Sequence, residues 1–177
     1  MQTQITNKHK TLYSVLFSLV LSIGLACGYF LFRDNTIDAI HIYTDFNIIF
    51  SDFFRVIKIL IFQFIFGFSI ISAPVCFVIL LNQSLIYGYS IYFILNFLNR
   101  TDLTIFYIII YLSILSVYTL ASVTSAMYTK TLLSASPDIK EIFKLDSTHK
   151  YIKKYIIFSG VLLLLQVIKI CYMVLFY

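Results

Sequence analysis

The stretch FFRVIKILIFQFIFGFSIISAPVCFVILLNQSLIYGYSIYFILNFL, Phe53 to Leu98, decides the fold. From Ile59 to Leu98 it contains no Asp, Glu, Lys, Arg or His. A membrane-crossing helix needs roughly 20 apolar residues, and this run is about twice that, with no room for a water-soluble loop. The chain is therefore expected to cross a bilayer, turn at or inside its edge, and return. Two places could turn it. Pro74, in Ser72-Ala73-Pro74, lacks a backbone donor and clashes with the preceding helical turn. Asn82-Gln83-Ser84 is the polar triplet of the run. The preferred reading kinks a long helix over 56–81 at Pro74, turns at Asn82 and Gln83, and returns over 85–98. The alternative is a re-entrant hairpin about Pro74, which survives at membrane depth only when buried in protein or facing water.

Composition agrees with a membrane setting. The chain has 177 residues, of which 60% are hydrophobic and 12% charged, and its mean hydropathy is +0.93. Soluble domains carry about a quarter charged residues. The expected fold is all-α: one polytopic transmembrane helical bundle of about five spans, 12–32, 56–81, 85–98, 103–127 and 155–177, with an interfacial amphipathic helix between the first two. Abundant Ile, Phe, Tyr, Asn and Lys with no Trp suit an AT-rich genome, so the aromatic content is expected to reflect codon bias more than a binding surface. Cys27, Cys76 and Cys171 all fall in apolar segments and read as small core residues, not as a disulfide framework or metal site. The net charge of +5 is mostly loop lysine, which suits an anionic membrane surface, and no nucleic-acid partner is expected.

Within the first span, Ser14, Ser18, Ser22 and Ala26 recur every four residues, and Gly24 and Gly28 form a GxxxG pair. Small residues so spaced let helix backbones approach closely, in this chain or in another copy. In the following segment Asp38, Asp45 and Asp52 are spaced by seven, drifting only about 20° per step around a helix. They form an acidic stripe opposite Tyr43, Phe46, Phe50, Phe53, Phe54 and Ile57, as on an interfacial helix. The stripe is either a solvated face or a docking surface for an extracytoplasmic protein. A metal site with His41 is set aside, because carboxylates two turns apart cannot share one ion.

The next span ends in a hydroxyl-rich run, Ser113 to Ser125. Such side chains bond across helices or back to their own carbonyls, and a polar path for a small solute is the sharper alternative. The 130–154 loop holds Ser136-Pro137-Asp138, a capping Ser with Pro in the first turn. A basic amphipathic segment with Lys140 and Lys144 follows, suited to the membrane surface or to a cytosolic partner such as an ATPase. Lys169 in the last span reads as an anchor that snorkels outward. Lysine and arginine place the N-terminus and the 130–154 loop in the cytoplasm, the 33–58 segment outside, and the C-terminus outside.

Reactive chemistry is sparse. No carboxylate lies in an expected span, although proton relays and coupled carriers use one. HExxH, Gly-rich phosphate loops and GxSxG are missing, and His9, His41 and His149 fall in separate loops. No enzyme activity and no cofactor are expected.

Gly67 in FGFSIISAP, then Pro74, then VILLNQSLIYGYSIYFIL with Gly88, resemble the stage II sporulation protein M family of bacterial membrane proteins. The chain departs from the family pattern where Gln83-Ser84 replaces a basic residue and Gly. It departs again where the next helix lacks the family's Pro-rich motif with a carboxylate. The resemblance implies a non-enzymatic component of the bacterial cell membrane. In spore-formers such a protein anchors cell-wall-degrading partners during engulfment. Short relatives occur with circular bacteriocins, in maturation, export or immunity. A scaffold is thus the leading expectation, and a permease subunit working with an ATPase, or a homo-oligomer around a solute path, is the alternative.

Overall fold

A computed structural model of the chain describes residues 2–31, 46–97, 101–135, 142 and 145–176. Its helices are α1 (Gln2–Leu31), α2 (Phe46–Phe66), α3 (Ser72–Phe97), α4 (Thr101–Ala135) and α5 (Asp146–Phe176). Four of them, α1, α3, α4 and α5, contain stretches long and apolar enough to cross a membrane. At 21 residues, α2 is about 31 Å long, but it carries Asp52, Arg55 and Lys58.

Helices consecutive in the chain alternate in direction. Gly24 of α1 faces Ser84 of α3, and Gly28 faces Leu85, so α1 and α3 are parallel. Val56 accepts from Tyr118, and Gly67 accepts from Thr129, so α2 and α4 are parallel too. Tyr128 meets Thr148, while Ala121 meets Tyr155, so α4 and α5 are antiparallel.

α4 is the central helix. Tyr107, Ile110, Ile114, Leu115, Tyr118 and Ala121 along it are all nearly inaccessible. Leu16, Leu19, Ile23, Ile61, Phe62, Ile109, Leu120, Ile156 and Leu164 are exposed on the outside. An apolar exterior around a core that also contains buried polar groups is what a lipid surround permits, since lipid tails are as apolar as leucine.

Two sequence expectations are corrected. The turn in the central run lies at 67–71, not at Asn82-Gln83-Ser84, and α3 passes through that triplet without a break. Consequently the helices expected over 56–81 and 85–98 are replaced by α2 and α3. Proline explains the position of the turn. Pro74 stands in the first turn of α3, where its missing N–H would have had no intrahelical partner. Tight backbone bonds close the end of α2 before it: Phe68 N to Ile65 O at 3.1 Å and Ser69 N to Phe66 O at 2.9 Å. The segment 46–58, expected as part of a separate interfacial helix, continues into 59–66 as one element that packs into the bundle through Val56, Leu60 and Gln63. The rest of that expected helix, 33–45, lies outside the described residues.

Candidate functional site

A helix leaves its last four carbonyls without intrahelical donors. In α2 the backbone of the following turn answers those carbonyls, with Gly67 N on Gln63 O and Phe64 O, and two other helices add side-chain donors. Ser125 Oγ of α4 donates to Gln63 O at 2.9 Å, and Tyr151 OH of α5 donates to Phe64 O at 2.8 Å. Thr129 Oγ1 donates to Gly67 O at 2.7 Å. Around these bonds Gln63 Nε2 reaches Ser122 Oγ at 3.0 Å, and Tyr155 OH reaches Ala121 O at 3.1 Å. Ser125 Oγ also touches the hydroxyls of both Tyr151 and Tyr155. Gln63, Ser122 and Ser125 are completely buried. The aromatic rings add a lid: Tyr151 stacks on Tyr128 with centroids 4.1 Å apart and on Phe64 at 5.3 Å. Gly67 sits under Tyr151, and a Cβ there would collide with its hydroxyl. The knot thus ties α2, α4 and α5 together at the place where the chain turns.

The hydroxyl-rich run of α4 divides into two uses. Ser113, Ser116, Thr119 and Thr124 donate to carbonyls four residues earlier in their own helix. Ser122 and Ser125 reach across to α2.

A second polar site joins the other end of α2 to α5. Lys169 Nζ donates to Asp52 Oδ2 at 2.6 Å, and Arg55 bonds Asp52 Oδ1 at 2.5 Å. The side chains of Lys169 and Asp52 are 11% and 19% exposed. The ammonium also lies 5.3 Å from the centre of the Tyr111 ring, within range of a cation–π attraction. Two expectations fail here. Lys169 does not snorkel outward as an anchor, because a carboxylate inside the bundle holds it. Asp52 is not part of a solvated acidic stripe, because Lys169 and Arg55 enclose it. A lysine–carboxylate pair therefore stands between α2 and α5.

The expected packing glycines do meet a partner, and it is in the same chain. Gly24 and Gly28 of α1 lie against Ser84, Leu85 and Gly88 of α3, so closely that a Cβ at Gly28 would strike the Leu85 backbone and one at Gly88 the backbone of Leu25. Two small-xxx-small pairs, Gly24/Gly28 and Ser84/Gly88, thus face each other. Ser18 and Ser22 are exposed, and Ser22 Oγ donates to Ser18 O at 3.0 Å. Of the expected hairpin residues, Pro74 and Asn82 are exposed, while Gly67, Gln83 and Gly88 are buried. Gln83 Oε1 and Gln166 Nε2 are buried without hydrogen-bond partners. Asp38, Asp45, Lys140 and Lys144 lie outside the described residues. Among the described residues no group of His, Cys, Asp or Glu is arranged to hold a metal ion, and Cys27, Cys76 and Cys171 are free thiols.

Sequence reasoning missed Gln63, Tyr118, Tyr151 and Lys169 as members of these sites. The available signals were Gln63 as an amide flanked on both sides by apolar residues, and Tyr151 and Tyr155 one turn apart at the start of the last helix. No protein-family model, curated protein or solved structure matches this chain.

Proposed function

We propose that this chain is a non-enzymatic multi-pass protein of the bacterial cell membrane that holds partner proteins there, the role implied by its resemblance to the stage II sporulation protein M family. The observation that carries the reading is how the buried polar groups are used. Ser125, Thr129, Tyr118 and Tyr151 all donate to backbone carbonyls of α2 or its turn, and Asp52 is closed between two cations. Groups bound in this way stiffen a bundle. A solute path along 113–126 has less behind it, since Ser113, Ser116, Thr119 and Thr124 bond within their own helix.

In this reading α2 is a fifth crossing. Alternating helix directions support that, and Lys130, Lys150, Lys153 and Lys154 gather at the end of the bundle expected to face the cytoplasm. The docking surfaces are the acidic outer segment with Asp38 and Asp45 and the lysine loop with Lys140 and Lys144.

Recovery of the tagged full chain from its own membranes in mild detergent tests the proposal. A stoichiometric partner should come with it, and changing Asp38 and Asp45 together to Asn should weaken the association. Asp52 is left intact because its loss would disturb the bundle itself. A lone monomer under all solubilisation conditions would refute the scaffold role.

A further inference from the structure

The outer face of α2 presents charge where a bilayer tolerates it poorly. Lys58 is exposed, two residues beyond the midpoint of α2, or about 3 Å along its axis. If α2 crosses the membrane, as proposed above, this ammonium stands near the bilayer centre, beyond easy reach of either surface for a side chain of its length. Arg55, 42% exposed, is already bonded to Asp52. Asp52 is thus shared by two cations, Arg55 and Lys169, and Lys58 has no ion pair among the described residues.

One helical turn further on, at Ile61, a groove of about 480 Å³ opens between α2 and α5. Leu60, Ile61 and Phe64 line one wall, and Ile156, Gly160 and Leu163 line the other. Gly160 is exposed, and a Cβ added there would meet nothing within 4 Å, so another helix backbone can come close at that point. An acyl chain would fit the apolar walls but would leave the ammonium without a counter-charge.

We propose that the α2/α5 groove receives a transmembrane helix of a partner protein, and that this helix carries an Asp or Glu at mid-membrane depth that pairs with Lys58. This rests on the scaffold reading and specifies the chemistry of the partner. Apolar contact in the groove supplies area, and the pair supplies register and selectivity.

The test places a photo-crosslinking amino acid at Ile61 of the full chain in its native membrane, with Ile105 on the far face of α4 and Lys140 in the loop as comparison positions. The adduct at Ile61 should contain a membrane protein with a carboxylate in its crossing segment. Lys58→Glu should reduce its yield by on the order of tenfold or more, Lys58→Arg should retain it, and exchanging the partner's carboxylate for lysine should restore it in the Lys58→Glu chain. Leu163→Trp, which fills the groove and leaves the charges alone, should also abolish it. The inference falls if the Ile61 adduct contains only lipid or a second copy of this chain, or if it is indifferent to Lys58→Glu. It falls alone, with the scaffold role intact, if a partner crosslinks at Lys140 and not at Ile61. If no position yields a protein adduct, both fall.

Discussion

Asp52 meets two cations, and that geometry sets what each substitution should do. Removing one member of a buried ion pair leaves the other uncompensated and costs about 3–5 kcal/mol, whereas replacing both with apolar residues is often neutral or stabilising by roughly 1–4 kcal/mol. Asp52→Leu strips Lys169 and Arg55 of their shared carboxylate and should therefore lower the thermal midpoint in detergent clearly, Lys169→Leu leaves Asp52 bonded to Arg55 and should cost less, and Asp52→Leu with Lys169→Leu should recover most of the Asp52→Leu loss. Recovery of stability with partner binding retained marks the pair as a lock between α2 and α5. Recovery of stability with partner binding lost gives the charges a role beyond packing. The hydroxyls of α4 allow a similar comparison. Ser125→Ala removes one of the donors to Gln63 O and a contact of two tyrosines, and should cost about 1–2 kcal/mol. Ser116→Ala removes an exposed bond to its own helix and should stay within about 0.5 kcal/mol. Chemical unfolding in mixed micelles measures both, and equal effects would contradict the knot.

At the scale of elements, the central run shows what patterning conveys and what it leaves open. Its length and lack of charge imply two helices and a turn, and both are present. The sequence points to a turn at Asn82-Gln83-Ser84 because a polar triplet in an apolar run reads as a break. Helix packing overrides that reading. Ser84 bonds Leu81 O in its own helix at 2.9 Å and offers Gly24 a small surface, so the triplet belongs to an interface. The small-residue spacing in α1 was legible, and the matching Ser84/Gly88 spacing in α3 identifies its partner once the two are compared. Lys169 was not legible, since a lysine near the end of an apolar helix looks the same whether it reaches outward to water or inward to a carboxylate more than a hundred residues away. The α1/α3 contact gives a direct prediction. Gly28→Val forces side-chain atoms into the Leu85 backbone and should destabilise by about 1–3 kcal/mol or more, the range for overpacking. Gly160→Ala meets open space and should be neutral or stabilising by up to about 1 kcal/mol through helix propensity. Similar losses from both would mean that α1 and α3 do not touch as described.

For the whole molecule, the number of crossings decides where the ends lie, and α2 is the element on which that number turns. Among the described residues four stretches qualify as crossings by apolarity. With four, α1 and α3 could not both run outward from a cytoplasmic N-terminus while the lysine-rich 130–154 segment stayed inside. With α2 as a fifth crossing, α1, α3 and α5 run one way and α2 and α4 the other, in agreement with the helix directions seen in their contacts. On the proposed reading, the three charges on α2 are tolerable because Lys169 and Arg55 bond Asp52 and because the proposed partner helix would neutralise the exposed Lys58. Reporter fusions check this arrangement. Alkaline phosphatase joined after Tyr177 should be active and a fluorescent protein there dark, whereas the same reporters inserted at 138–140 should behave in the opposite way. Arg55→Leu with Lys58→Leu makes α2 fully competent to cross by apolarity, and should leave every reporter unchanged if α2 already crosses. A switch in the C-terminal reporter on that substitution would mean that α2 lies outside the bilayer in the native chain, and the depth assigned to Lys58 would fall with it.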